Sequence, residues 1–143
     1  MQSNINPYLA MGAVLSALAS LAHIGIIFGG PAWYRFFGAG ERFAQAAERG
    51  RWLPAIVTFG IALVLAVWSL YGLSGAGAIG RLPLLKWALV AITCIFLLRG
   101  LAGPLMLVAK TGHSTQFVIV SSLICLGIGL MHAVGLSQIW HRL

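Results

Sequence analysis

The chain has 143 residues, of which 60% are hydrophobic and only 8% are charged. A soluble domain carries about 25% charged residues, so this composition excludes a soluble globular domain and predicts an integral membrane protein. Nine basic and two acidic residues give a net charge of +7. In a membrane protein this balance sets orientation and attracts anionic lipid, so membrane lipid is an expected partner and nucleic acid is not.

Four apolar segments are long enough to cross a bilayer, because a hydrocarbon core ~30 Å thick needs about 20 helical residues. They cover residues 8–29, 53–73, 84–108 and 117–139. Residues 1–7 carry no Lys or Arg, so the first segment is interpreted as a retained span and not as a signal peptide. We expect an all-α protein in which four transmembrane helices form one compact bundle over residues 1–143.

The first span carries His23, which shares a helical face with Ser16 and Ser20. Its position about six residues from the end of the span places it ~9 Å below that surface. Two interpretations stay open. The imidazole either donates a hydrogen bond to a neighbouring backbone carbonyl or lines a polar cavity inside the membrane.

The long connector, residues 30–52, contains both acidic residues of the chain, Glu41 and Glu48. Their spacing places them on one face if the segment is helical, and Gly40 and Gly50 bracket it. The pattern predicts a short amphipathic helix at the membrane interface between the first two spans. Either the glutamates pair with nearby arginines in solvent, or one of them enters the mouth of the bundle. Thr58 in the second span lies in the same half of the bilayer as His23.

Arg99 lies deep in the third span, where a charge costs at least ~2.5–3.5 kcal/mol and is expected to face a partner, a cavity or water. Gly100, Gly103 and Pro104 follow it and predict a break in the helix. Pro104 cannot donate to the Gly100 carbonyl, which we expect to be free to bind a ligand.

These observations predict one polar pocket in the connector half of the bundle. We hypothesise that a glutamate neutralises Arg99, and the alternative is a bound anion such as a lipid phosphate or a carboxylate. The predicted ligand-binding residues are Arg99, Glu41, Glu48, His23, Thr58, Gly100 and Pro104.

The fourth span has small residues at every fourth position, which allow another helix to approach closely. Either a helix of the same chain packs there, or the stripe is the seam of a homo-oligomer or of a complex with another membrane protein. The stripe consists of Ser121, Cys125, Gly129, Ala133 and Ser137.

Metal and redox chemistry are not expected. Cys94 and Cys125 lie singly in different spans, so a dithiol role is not predicted. His132 is near the membrane surface opposite to that of His23, too far away for both to hold one metal ion or haem. No other spacing matches a metal site, so we predict no metal and no cofactor.

Basic residues are unevenly distributed between the two sides of the predicted bundle. The side of connectors one and three holds Arg35, Arg42, Arg49, Arg51 and Lys110, and the side of the termini holds Arg81, Lys86 and Arg142. The positive-inside rule favours connectors one and three in the cytoplasm and both termini outside. The small size of the chain favours a bacterial inner membrane.

The stretch Glu41-Arg42 followed by Ala46, after a long connector, resembles the membrane-associated eicosanoid and glutathione metabolism proteins, which are small four-span proteins that assemble as trimers. The family pattern continues with Asn and Glu where this chain has Arg49 and Trp52. The family's Arg-x-x-His has Ala102 in place of the histidine here. The resemblance implies a trimeric enzyme, and its glutathione site is not transferred to this chain.

Three classes of function follow. The first is a carrier or sensor that binds a lipophilic or anionic amphiphilic ligand in the polar pocket. The second is an enzyme that acts on such a ligand, with Arg99 holding an anion and His23 or a glutamate as acid or base. The third is an accessory subunit that docks into a larger membrane complex through its small-residue stripes.

Overall fold

A computed structural model describes residues 5–109 and 113–143, and every regular element in these residues is helical. The order is α1 (Pro7–Phe36), α2 (Glu41–Glu48), α3 (Leu53–Ala76), α4 (Leu85–Leu101), α5 (Gly103–Val108), α6 (Thr115–Ile139) and a 3₁₀ turn (Trp140–Arg142). The all-α fold class is thus confirmed. Three helices, α1, α3 and α6 with its 3₁₀ turn, are long and apolar enough to cross a membrane. This is consistent with an integral membrane protein.

Local sequence explains where the long helices begin and end. The Asn6 side chain accepts a hydrogen bond from the Leu9 N–H and caps α1, and Ser114 caps α6 in the same way. These caps satisfy backbone donors that have no partner in the first helical turn. α3 ends where Gly77 adopts a left-handed conformation with φ 80°, which a glycine tolerates without strain.

The first helix is longer than the predicted span and is kinked near its end. Gly30 has φ 64° and ψ −152°, and Pro31 follows it, so the helical hydrogen bonding is interrupted at this point. The segment beyond the kink carries Trp33, Tyr34 and Arg35. It redirects the chain toward α2, which is the helix predicted in the connector.

The predicted break after Arg99 is confirmed. α4 ends at Leu101, Ala102 forms a turn, and α5 begins at Gly103 with Pro104 in its first turn. The 17 residues of α4 measure ~26 Å, less than the thickness of a hydrocarbon core. The segment predicted as one span is therefore two helices of unequal length.

The four long helices form two pairs. α1 packs mainly against α3 and α4 mainly against α6, and contacts between α1 and α6 join the pairs. Hydroxyl groups strengthen the α1–α3 contact: Ser20 Oγ donates to the Ala62 carbonyl at 2.7 Å and Ser69 Oγ to the Ala13 carbonyl at 2.8 Å. α2 is held by Ala44, which is buried with Ile26.

The small-residue stripe of α6 is used within the chain, at least in part. A side chain at Gly129 would lie 2.8 Å from Leu97 Cδ2, so α4 approaches α6 closely there. Ser121 hydrogen-bonds to Arg99, and Cys125 packs against a buried cluster that contains Phe96. These contacts agree with the intramolecular alternative, and a seam between copies stays a prediction.

Candidate functional site

The two glutamates bind Arg35, which lies beyond the kink of α1. Arg35 Nη2 is 2.8 Å from Glu41 Oε1, its Nε is 3.0 Å from Glu41 Oε2, and its Nη1 is 2.7 Å from Glu48 Oε1. The fork-like contact with Glu41 matches the planar shape of the guanidinium. All three side chains are about half exposed to solvent. The arginine clamp, meaning Arg35 with Glu41 and Glu48, therefore ties α2 to the end of α1.

Of the two alternatives for the glutamates, the structure agrees with pairing to a nearby arginine in solvent, and the pairing of a glutamate with Arg99 is corrected. Glu41 and Glu48 do share a helical face, as predicted, but that face meets Arg35, only six residues before Glu41 in the chain. Hydrogen bonding to Arg35 holds the pKa of Glu41 below its ordinary value, so this carboxyl stays ionised at neutral pH. The chain has only two acidic residues. Arg99 is consequently left without a carboxylate side chain from its own fold.

Arg99 instead reaches two hydroxyl groups of α6. Its Nη2 donates to Ser121 Oγ at 3.1 Å and its Nη1 lies 3.4 Å from Ser122 Oγ. The two serines lie six and seven residues after Thr115, the first residue of α6, so the guanidinium is ~10 Å inside that end of the helix. Hydroxyl oxygens are neutral acceptors, so they hold the guanidinium without neutralising its charge.

Glycines create the close approach that makes this contact. A side chain at Gly100 would lie 2.4 Å from Leu126 Cγ and 2.9 Å from the Leu126 backbone nitrogen. A side chain at Gly103 would lie 2.5 Å from Ser122 Oγ. Both glycines are buried, and they bring the α4–α5 break directly against α6. The Arg99 site, meaning Arg99 with Ser121, Ser122 and the break, is therefore fixed by backbone packing.

The Gly100 carbonyl was expected to be free because Pro104 cannot donate to it. The Ala102 N–H at the end of α4 donates to the Leu98 carbonyl at 2.9 Å. A free Gly100 carbonyl therefore stays a prediction, and the structure adds that the small size of Gly100 lets α6 approach.

The other two predicted residues have separate partners on the α1–α3 pair. His23 Nδ1 lies 2.7 Å from the Ala19 carbonyl, and since a carbonyl only accepts, Nδ1 carries the proton. This is the first of the two interpretations given for His23. Thr58 Oγ1 donates to Tyr34 Oη at 3.3 Å. Among the hydrogen bonds and ion pairs of the described residues, none joins Arg99 to His23, Thr58 or a glutamate.

Connectors one and three lie together, as their predicted placement on one side requires. His113 Nδ1 donates to the Gly38 carbonyl at 2.8 Å. Gly38 has φ 69°, and a side chain there would lie 2.4 Å from Phe117 Cβ. The clamp and the start of α6 are thus neighbours. Lys110, which was counted with this side, lies outside the described residues.

The most unusual buried group, His132, was not among the predicted site residues. It is fully buried, and its Nδ1 lies 3.0 Å from the Ile128 carbonyl, while Nε2 has no hydrogen-bond partner among the described residues. Gly12 of α1 and Gly72 of α3 face the imidazole, and the ring stacks on Phe96 of α4 at 5.9 Å. His132 therefore touches all three other long helices. The sequence feature that could have predicted this site is the depth of His132, which matches the depths of Gly12 and Gly72 on two other spans.

Searches of protein families, curated proteins and solved structures found no match to this chain. The resemblance to the eicosanoid and glutathione metabolism proteins thus has no support from these comparisons. Within residues 5–109 and 113–143, no group of three His, Cys, Asp or Glu side chains could hold a metal ion.

Proposed function

We propose that this protein is a four-span membrane protein that binds an anionic amphiphile at the Arg99 site, as a carrier or a sensor. In this proposal α4 and α5 together form the remaining span. The 23 residues that they contain would measure ~35 Å end to end, enough for the hydrocarbon core. The interruption between them lies beside a charge, and in membranes irregular backbone is tolerated where it is buried or lines a cavity.

One observation carries the proposal: the fold provides Arg99 with hydroxyl partners and no counter-charge. Both acidic side chains of the chain are bound to Arg35. An intramembrane arginine without a carboxylate is expected to attract an external anion, because desolvating an uncompensated charge is costly. Ser121 and Ser122 can rotate their hydroxyl protons toward a bound carboxylate or phosphate.

The ligand is expected to be amphiphilic because the site is flanked by apolar surface. Leu98, Leu101 and Leu105, on α4 and α5 around the break, are each about two-thirds exposed. In a bilayer these side chains would face acyl chains. A long-chain carboxylate or a phospholipid can place its charged group at Arg99 while its tail remains in lipid.

Orientation follows the distribution of cations. The side of the arginine clamp carries the larger number of basic residues, so we place it in the cytoplasm and both termini outside. A reporter fused to the C-terminus tests this orientation: alkaline phosphatase is expected to be active there, and green fluorescent protein is expected to be dark. The reverse pattern would contradict the assignment.

Native mass spectrometry of the protein released from gentle detergent tests the ligand site. Oleate is the probe, and Arg99→Gln is compared with Arg42→Gln, which removes an exposed charge from α2. Loss of one charge-assisted hydrogen bond predicts about tenfold weaker oleate binding in Arg99→Gln and little change in Arg42→Gln. If Arg99→Gln folds and retains every bound molecule and the same copy number, the Arg99 site is not a ligand site. A bare wild-type monomer would instead favour an accessory subunit.

A further inference from the structure

The end of the bundle opposite the arginine clamp and the Arg99 site contains a groove of ≈500 Å³ between the ends of α1, α3, α4 and α6. We call it the terminal groove. It combines two guanidinium groups with side-chain amides and a hydroxyl, over an apolar floor. Its main lining residues are Arg81, Arg142, Asn6, Gln138, Ser74 and Leu85.

Hydrogen bonds fix the loop that presents Arg81. Ser74 Oγ donates to the Gly80 carbonyl at 3.0 Å and accepts from the Leu82 N–H at 3.0 Å, so it holds both sides of Arg81. Arg81 Nη2 in turn donates to the Leu143 main-chain oxygen at 3.0 Å. The guanidinium is therefore held at the rim of the groove, and it has further N–H donors for a ligand.

The side chains that line the groove carry two positive charges and no negative charge, and the main-chain oxygen of Leu143, the last residue of the sequence, offsets part of this charge as a carboxylate oxygen. Both glutamates of the chain lie in the arginine clamp at the other end of the bundle. Arg81 and Arg142 line the same cavity, and Lys86 lies beside Arg81 in an adjoining cavity of ≈590 Å³. Carboxylates and phosphates both match the fork geometry of a guanidinium group, and a phosphate has enough oxygens to accept from two of these groups at once.

Apolar and aromatic surface continues outward from these cations. Leu84 and Trp87 line the adjoining cavity and are 76% and 67% exposed. Lys86 Nζ lies 4.0 Å above the Trp140 ring. Tryptophan beside lysine or arginine at the ends of spanning helices is typical of the headgroup level of a membrane.

We infer that the terminal groove binds an anionic phospholipid, with its phosphate between Arg81 and Arg142 and its acyl chains along Leu84 and Trp87. The site is separate from the Arg99 site, because it lies at the other end of the helices. The inference therefore does not depend on the proposed function. Free phosphate has the same charged group but no acyl chain, so the two sources can be distinguished.

The test is a lipid titration of the full-length protein followed by native mass spectrometry, with phosphatidylglycerol and phosphatidylcholine as probes. Arg81→Gln and Arg142→Gln are each expected to weaken phosphatidylglycerol binding about tenfold, as the loss of a charge-assisted hydrogen bond predicts. Phosphatidylcholine binding should change little. Arg49→Gln is the matched control, because it removes an exposed arginine from the opposite side.

Two further arms complete the test. Arg81→Lys keeps the charge but loses the fork, so its phosphatidylglycerol affinity should fall between those of wild type and Arg81→Gln. Thermal unfolding in detergent without lipid checks that the variants are folded. If Arg81→Gln does not fold, the lipid affinity of Arg142→Gln alone decides the outcome. Equal losses in Arg49→Gln and Arg142→Gln would overturn the inference, since binding would then depend only on net charge. Displacement of the lipid by an equal concentration of inorganic phosphate would also overturn it.

Discussion

The contact between His132 and Gly12 predicts a strong energetic coupling between α6 and α1. A side chain at Gly12 would lie 2.6 Å from both Cε1 and Nδ1 of the imidazole. Ordinary contacts between such atoms are about 3.5–4.0 Å, so Gly12→Ala requires a shift of roughly 1 Å. His132 cannot turn away freely, because Nδ1 is bound to the Ile128 carbonyl and the ring is stacked on Phe96.

The magnitude follows from two opposing terms. Overpacking a buried contact costs about 1–3 kcal/mol, while alanine is favoured over glycine in a helix by about 0.8–1.0 kcal/mol. We therefore expect Gly12→Ala to lower the free energy of unfolding by about 0–2 kcal/mol. In a His132→Ala background the clash is absent, and the same substitution should be neutral or stabilising. The expected coupling free energy is about 1–3 kcal/mol.

Reversible unfolding in mixed micelles of sodium dodecyl sulfate and a mild detergent, followed by circular dichroism, measures the four variants of this cycle. Gly127→Ala is the control, because a side chain at Gly127 would meet nothing within 4 Å. It should change stability equally with and without His132. If the effects of Gly12→Ala and His132→Ala are additive, His132 does not face Gly12 and the packing of α6 against α1 is refuted.

Two further predictions concern the clamp and the buried imidazole. Hydrogen bonding to Arg35 lowers the pKa of Glu41 in the folded protein, so this pair stabilises the fold at any pH above the ordinary glutamate pKa of about 4.3. The stabilisation is lost as the pH falls below that value and through the lower pKa of the folded protein. The unfolding temperature of Glu41→Gln should accordingly be lower than that of wild type at pH 7, and the two temperatures should converge in acid. A difference in unfolding temperature that does not change with pH would contradict the pairing. His132→Met removes the unpartnered Nε2, whose burial costs about 1–3 kcal/mol, so unfolding in mixed micelles should show equal or greater stability. A loss of about 2 kcal/mol or more would contradict this expectation, because the contacts of the imidazole would then outweigh the cost of the unpartnered Nε2.

The helical class and the break after Arg99 could be predicted because each depends on local sequence. A long apolar segment specifies a helix in lipid. Gly103 and Pro104 interrupt that helix whatever the segment packs against. The shared face of Glu41 and Glu48 was equally local. All these features depend on residues within one or two turns of each other.

Pairing of the glutamates with a nearby arginine was one of two alternatives from the sequence, but neither the choice between them nor the identity of that arginine could be predicted. Which guanidinium meets the glutamates depends on the kink at Gly30, where a single positive φ redirects Arg35. The space around His132 arises only when Gly12 and Gly72 arrive from two other helices. Such contacts depend on how helices rotate and approach each other, and hydrophobic periodicity alone does not specify that rotation.

The position of His132 in the chain also affects the order in which the protein assembles. The ribosome completes α1, α3 and α4 before it makes α6, and domains acquire structure progressively during synthesis. Before α6 is made, no side chain occupies the place of the imidazole beside Gly12 and Gly72. The α1–α3 pair has its own two serine hydrogen bonds and needs no residue of α6, so the fit of the imidazole between these glycines is the last packing contact to form.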